Sequence, residues 1–558
     1  MKKSKLLSLI MAFAMILTMV LPLTASAADL VISGPDSLLL DADDFAAYKI
    51  FSITNVTGDP GEENITYAPT AAVAPFLVWA VSAPHYSYGS PYGATFDEFR
   101  LILADEDDNS EFLNQLTADL MEYNETATTK FAKIADATLD DGKVTFTDLD
   151  DGYYLITGKG KGDGKEKVTA HSSLVSVFGD DEFFITLKAD SPSINKEVWN
   201  HNEGLAGGYL EMDDEGWTDW TDENMGDYVY FRHTSVVPNM FGYKAYAFTV
   251  KDLMSKGLTF NGDVKVEING DVYSEYTVTF ENPIMDANIL ALAIDDYVDA
   301  TYIVITFDPA QFVELEEGDE IIITYSAELN EDAVIGAPGN PNKVWLEYSN
   351  DPYSTGIGEP GSTTETPEEE VFVYTFDLEI LKLDGGDETT PLPGAEFELY
   401  KGTVAAGIKI GFIELDSDPD GYTYRLPTSD DDTNDIIHIL VTDEDGIIKI
   451  KGLDAGEYEM LETKAPEGYN LVAGFITYIK ITHEDNEGKY SVSVKEAPTD
   501  SYIKLDAKVV TILNNAGGIL PGTGGIGTAI FYIVGIALAG ALAAAYIVRK
   551  KRNVLQIN

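Results

Sequence analysis

Along most of the chain, apolar and polar residues alternate in short runs. "KVTFTDLDDGYYLITG" (143–158), "DVKVEINGDVYSEYTVTF" (263–280) and "EIIITYSAEL" (320–329) put every second side chain on one face and break at Gly-Asp, Asn-Gly and Asp-Gly turns. Short strands at such spacing predict β-sandwiches. One region departs from this period: Thr95–Asn124 carries apolar residues at helical spacing. The pattern predicts an all-β chain of tandem immunoglobulin-like sandwiches in an elongated array, with some helix in the N-terminal domain.

Composition shifts divide the chain. "KADSPSINK" (188–196) ends one strand series and opens another. "DPYSTGIGEPGSTTETPEEE" (351–370) is rich in Pro, Gly, Thr and Glu and lacks apolar periodicity, as a linker does. Beyond "TILNNAGG" (511–518) the strand pattern stops. The expected domains are 28–190, 191–353 and 371–516, with 354–370 as linker.

The two ends follow another rule. Three lysines within Met1–Lys5, an apolar run through Leu21 and the small residues Ala25-Ser26-Ala27 read as a secretory signal peptide, 1–27. Ile526–Val548 is apolar and, at about 1.5 Å per residue, long enough to span a bilayer. Arg549-Lys550-Lys551-Arg552 follows at once and places that side in the cytoplasm. The segment between the ends is therefore expected outside the cell.

Composition then removes several function classes. There is no cysteine in 558 residues, so an extracellular chain of this kind uses no disulfide and needs another device to resist load and proteases. A formal net charge of −59 excludes nucleic acid as a partner and suits a soluble, self-repelling surface protein. "GKGKGDGKEK" (158–167) lacks the Walker spacing, with Glu166 where Ser or Thr is required. The acidic stretches "LADEDDNSE" and "TSDDDTND" lack the calcium-loop spacing, and six scattered histidines form no zinc pattern. With no hydrolase motif either, the expectation is a protein that is not an enzyme and takes no cofactor or metal.

Leu520-Pro521-Gly522-Thr523-Gly524, followed by the apolar span and the basic tail, resembles the cell-wall sorting signal of Gram-positive surface proteins. That resemblance assigns 517–558 to the signal and implies that a sortase cleaves after Thr523 and passes its acyl group to an amine. Pro521 and the flanking glycines keep the backbone extended for such an enzyme.

"FDLEILKLD", "PLPGAEFELY" and "ETKAPEGYNL" resemble the prealbumin-like, B-type collagen-adhesin (CnaB) domain of Gram-positive pilins, over nearly all of 371–516. In that family a lysine, an asparagine and a glutamate form a spontaneous isopeptide bond. The matching residues are Lys382, Glu462 and Asn514, with Asn515 adjacent as the alternative. The chemistry has its own demands. An apolar pocket lowers a lysine's pKa so that the amine is neutral and nucleophilic, and it raises a carboxyl's pKa so that Glu462 can donate a proton.

"GDYVYFRHTSVVPNMFGYKAY", "YAFTVKDLMSKGL" and "GNPNKVWLEYSNDP" resemble the D2-type (CnaA-like) fimbrial isopeptide domain of pilin backbone subunits. This implies Lys196 as the amine, Asp252 as the acid and Asn342 as the carboxamide. Asn350 competes, but it stands in the turn signal "SNDP", whereas Asn342 opens a strand. Asp252 also has an ordinary reading as a cap or turn residue. "DDFAAYKIFSI" and "DGYYLITG" resemble the N-terminal domain of the same pilins, which implies an acceptor lysine near the domain's end. Lys188 in "FFITLKADSP" takes that place, exposed on a fixed surface, although the family's Tyr-Pro-Lys-Asn motif is absent.

Together these features predict the major subunit of a sortase-assembled, wall-anchored pilus on a Gram-positive surface. Its expected partners are a sortase, further copies of the chain, peptidoglycan and a host ligand. The alternative is an ancillary pilin or single anchored adhesin.

Overall fold

The computed structural model describes residues 27–516, apart from 58–62, 83–90, 106–109, 135, 163–165, 202–215, 283–296, 298, 354–362, 406 and 473. The signal segment before Ala27 and the sorting segment 517–558, with Leu520 to Gly524, lie outside the described residues. Among the described residues no helix is long and apolar enough to cross a membrane.

Alternating patterns became strands throughout. In the first unit, Ala27–Ser33 lies between Lys143–Asp150 (antiparallel) and Glu182–Thr186 (parallel), so its first and last strands are neighbours. A second sheet centres on Ala46–Thr57, which pairs with Gly152–Thr157 and Asn64–Pro69. The helical region resolves as Phe96–Asp105 and Ser110–Thr126. The first of these opens with a capping box: Thr95 Oγ1 accepts from the Glu98 amide and Glu98 Oε2 accepts from the Thr95 amide. A further helix, Val73–Ser82, had no counterpart in the predicted pattern. Its sequence "VAPFLVWAVS" is apolar all round, with Phe76 and Leu77 buried and Val78 71% exposed, so no polar face marked its period.

The middle unit is a sandwich of two sheets. One contains Asn195–Trp199, Tyr228–Val236 and Glu320–Leu329 side by side. The other contains Thr301–Phe307, Phe248–Met254 and Asn340–Ser349. Glu369–Tyr374 continues that second sheet, with Asn342 opposite Val371, and Thr363–Glu365 pairs with the same strand. The segment expected as linker to 370, and as third domain from 371, is therefore largely middle-unit strand. Its Pro and Glu content masked an inward alternation in which Val371 and Val373 are both fully buried.

The third unit starts at Phe376–Asp384, which lies between Ile447–Leu453 and, in parallel, Val509–Asn514. The facing sheet carries Glu396–Lys401, Gly456–Lys464 and Ile476–His483.

Candidate functional site

Inward positions of a sandwich strand normally hold apolar side chains, because a buried charge costs several kcal/mol unless it is paired. Two units break this rule at one level of their cores.

In the third unit, Phe376, Leu378, Ile380 and Lys382 point inward in turn, and Lys382 is fully buried. Val510, Ile512 and Asn514 do the same on the adjacent parallel strand. Lys382 is in register with Ile512, and Asp384 with Asn514, so the two polar side chains are diagonal neighbours on one sheet face. Glu462 reaches them from the facing sheet. Lys382 Nζ donates to Asn514 Oδ1 at 2.6 Å and lies 3.4 Å from Glu462 Oε2. Asn514 Nδ2 donates to Glu462 Oε1 at 2.7 Å, which closes a three-membered ring of contacts. The Phe397 ring centroid is 5.6 Å from the amine. Burial pushes the Lys382 amine down to about 8, against the opposing pull of Glu462. Of the two adjacent asparagines, the structure brings Asn514 to this cluster, while Asn515 lies beside Gly385.

In the middle unit the polar level contains five residues. Lys196 and His233 face each other across paired strands, and Tyr325 is diagonal to His233 on the next strand. Asp252 and Asn342 come from the opposite sheet, also as diagonal neighbours. Lys196 Nζ donates to the Asp252 carboxylate, to Tyr325 Oη at 2.8 Å and towards His233 Nε2 at 3.1 Å. Tyr325 Oη donates to Asp252 Oδ2 and accepts from Asn342 Nδ2, each at 2.8 Å. Asn342 thus joins the cluster through the tyrosine. Asp252 is interior to a strand and fully buried, which excludes its reading as a cap or turn residue. Asn350 instead lies at the seam with the first unit, where its side chain donates to the Lys167 carbonyl.

Electrostatics follow from this burial. Desolvation pushes the Lys196 amine down to about 8, against Asp252. Burial and the neighbouring lysine push His233 down to about 4. Burial disfavours charge on Asp252, yet Lys196 and His233 together hold its carboxyl below the usual range. The Tyr325 hydroxyl is raised well above its ordinary value by burial and keeps its proton.

Sequence reading missed His233 and Tyr325. The signal that finds them is period two: Val229, Phe231 and His233 share one inward face, as do Ile321, Ile323 and Tyr325. Lys188 requires a correction. Its amine is not free on an open surface but half-buried, 3.9 Å from the ring centroid of Phe241 in the middle unit. A lysine at an inter-unit seam finds the face of an aromatic ring favourable, which its local sequence did not reveal.

Comparisons with known proteins place these clusters in context. Residues 376–499 match the family model of the SpaA prealbumin-like fold domain, a match that ends short of Asn514. The chain is 24% identical over 367 residues to the trypsin-resistant surface T6 protein of Streptococcus pyogenes serotype M6, covering 54% of this chain and 60% of that relative. It is 28% identical over 258 residues to the fimbrial subunit type 1 of Actinomyces viscosus, covering 43% of each. The alignments thus span less than two thirds of either relative. Among solved structures, the T6 backbone pilin of Streptococcus pyogenes aligns at a TM-score of 0.47 and 18% identity, over 89% of this chain and 99% of that one. The major pilin SpaD of Corynebacterium diphtheriae aligns at 0.44 and 19%, over 88% and 98%.

Proposed function

We propose that this chain is the backbone subunit of a covalently polymerised, wall-anchored pilus and that each buried cluster closes one intramolecular isopeptide bond. The chain is related to fimbrial and surface proteins of Gram-positive bacteria, and its third unit is a prealbumin-like domain of the SpaA type. The observation that carries the reading is the fully buried Lys382, within hydrogen-bond distance of Asn514 and beside Glu462.

The chemistry is single-turnover. A neutral Lys382 Nζ attacks Cγ of Asn514, a C–N bond forms, and Nδ2 leaves as ammonia after receiving the amine's proton through Glu462. The same exchange joins Lys196 to Asn342, with Asp252 as the shuttle. The third-unit link closes a loop of 132 residues. By the chain-entropy treatment used for disulfides that is worth about 5 kcal/mol. Between subunits, a sortase joins Thr523 of one chain to Lys188 of the next and finally to peptidoglycan. Load then enters at Lys188 and leaves at Thr523, which takes the first unit off the force path and fits a fold there without a cluster of this kind among the described residues.

The position of Lys188 against Phe241 favours a second reading, an ancillary pilin or single anchored adhesin that is acylated through Thr523 but donates no amine. Two measurements test these readings. Intact mass of the ectodomain is expected to fall by about 17 Da per bond, two bonds in all, the mass of the ammonia lost; an unshifted mass removes the claim. Immunoblots of the native surface are expected to show an SDS-resistant ladder that collapses in Lys188→Ala. A single band in the wild type favours the adhesin.

A further inference from the structure

His233 is the residue of the middle cluster that the lysine, acid and amide chemistry leaves without a task. It occupies an inward strand position at 1% exposure, a place where its neighbours two residues on either side need only be apolar or small. The groups facing it are Lys196 from the paired strand, Asp252 from the opposite sheet and Tyr325 from the next strand. Its Nε2 is 3.1 Å from Lys196 Nζ and 2.9 Å from Asp252 Oδ2, while its Nδ1 is buried without a hydrogen-bond partner among the described residues.

The geometry shows what holds the lysine back. As an ammonium, Lys196 has three N–H groups and three acceptors around it, the Asp252 carboxylate, Tyr325 Oη and His233 Nε2. In that state it has no lone pair to offer Asn342. One of the three acceptors must take a proton. Tyr325 Oη already accepts from Asn342 and donates to Asp252. Transfer to His233 gives an imidazolium whose new N–H points at Asp252 Oδ2, so one ion pair replaces another and no buried charge is stranded.

We infer that His233 is the base that frees the Lys196 amine, so that the middle unit closes its bond with five working side chains while the third unit uses three. The inference rests on the isopeptide reading above. Lys196 passes its first proton to His233 Nε2, and the freed lone pair forms the bond to Asn342 Cγ. The second proton of the new tetrahedral centre passes to Asp252 and, through Tyr325 Oη, to Nδ2. The Cγ–Nδ2 bond breaks, and ammonia departs, taking the imidazolium proton as ammonium. Burial and the Lys196 charge hold His233 down to about 4, so it carries no proton at physiological pH and takes one only as Lys196 gives up its own charge.

The test is His233→Gln in the full ectodomain. The amide of glutamine can bridge Lys196 and Asp252 as a hydrogen-bond partner but cannot take a proton. Chain kept unlinked in denaturant is refolded by dilution, quenched at intervals and digested, and the linked peptides containing Lys196–Asn342 and Lys382–Asn514 are counted by mass spectrometry. The expected result is a middle bond formed at least tenfold more slowly, with a rate that rises with pH up to about 8 as bulk solvent takes over the deprotonation, and a third-unit bond at the wild-type rate in the same molecules. A middle bond at the wild-type rate in His233→Gln overturns the inference and leaves the isopeptide reading intact. Absence of both linked peptides from the wild type overturns both. If the variant's middle unit does not fold, judged by the emission of its buried Trp199, the wild-type pH profile decides. An internal base keeps the middle rate flat from about pH 8 down to about 5, and a rate that falls tenfold per pH unit across that range overturns the inference.

Discussion

The two clusters contain the same trio of residue types but place them differently. In the third unit the lysine and asparagine lie on adjacent parallel strands of one sheet and touch directly. In the middle unit they lie on opposite sheets, and a tyrosine bridges them. The difference shows in polar satisfaction. Asn342 Oδ1, Asp252 Oδ1 and His233 Nδ1 are buried without hydrogen-bond partners among the described residues, whereas the atoms of the third-unit trio are all paired. Each unpaired buried atom costs about 1–3 kcal/mol. Among the described residues the middle cluster is thus the less fully paired of the two, and Tyr325 is the group that links its lysine to its asparagine.

With the proposed bonds in place, the two placements also divide mechanical load differently. In the third unit force enters at Phe376 and would cross from Lys382 to Asn514, which shields nearly the whole unit. In the middle unit it would cross from Lys196 to Asn342, leaving 343–375 outside the covalent loop. Asn342 and Val371 are paired two residues in from the open end of their strand pair, and Trp220–Asp222 pairs with the outer residues of the last strand, so tension must strip both pairings to release 343–375. Removing the third-unit link by Asn514→Ala has the largest expected effect. Single-molecule pulling should show a new unfolding step of about 460 Å, at roughly 3.5 Å per residue, and chemical denaturation a loss of about 5 kcal/mol. If the step is already present in the wild type, the third unit is not linked. The intact wild type has a smaller expected signature, a reversible extension of about 110 Å from 343–375 on the same scale. Its absence would mean that the middle-unit bond does not lie at Asn342.

Much of this was legible in the sequence, because period two marks strands and burial alike. Lys382 follows Phe376, Leu378 and Ile380 on one face, so its inward direction could be read directly. Which asparagine it meets could not, since Asn514 and Asn515 differ by one residue and register decides the face. His233 and Tyr325 were hidden for another reason: their partners are 37 and 129 residues distant from them along the chain, and only strand pairing brings them together. The middle unit's last strands were hidden by their composition, and the Val73–Ser82 helix by its lack of a polar face.

The lysine pKa offers a pH test of the comparison. In Asn514→Ala the Lys382 amine stays titratable, at about 8 when folded against 10.5 ordinarily. Between those values the unfolded chain binds a proton that the folded chain lacks, so folded stability rises with pH. In a wild type linked as proposed, the same nitrogen is an amide and does not titrate. The stability deficit of the variant should thus narrow from pH 8 to pH 10.5, by on the order of 3 kcal/mol. Parallel urea titrations of the two proteins measure it, and a deficit that stays constant would show that the buried amine is not held down.

The smallest expected effect bears most directly on why the two clusters differ. Tyr325→Phe removes a single oxygen that accepts from Lys196 and Asn342 and donates to Asp252. The ring remains, so packing against Phe231, 5.2 Å away between centroids, is retained. If the tyrosine serves only to fill the core, the middle bond should form as before. If it holds the amide of one sheet against the amine of the other, its loss lets Asn342 swing and interrupts the proton's path from Asp252 to Nδ2. The bond should then form about tenfold more slowly, equivalent to about 1.4 kcal/mol of barrier. The third-unit bond, which needs no bridge, should be unaffected in the same molecules, and unchanged emission from the buried Trp199 separates a lost bridge from a damaged middle unit.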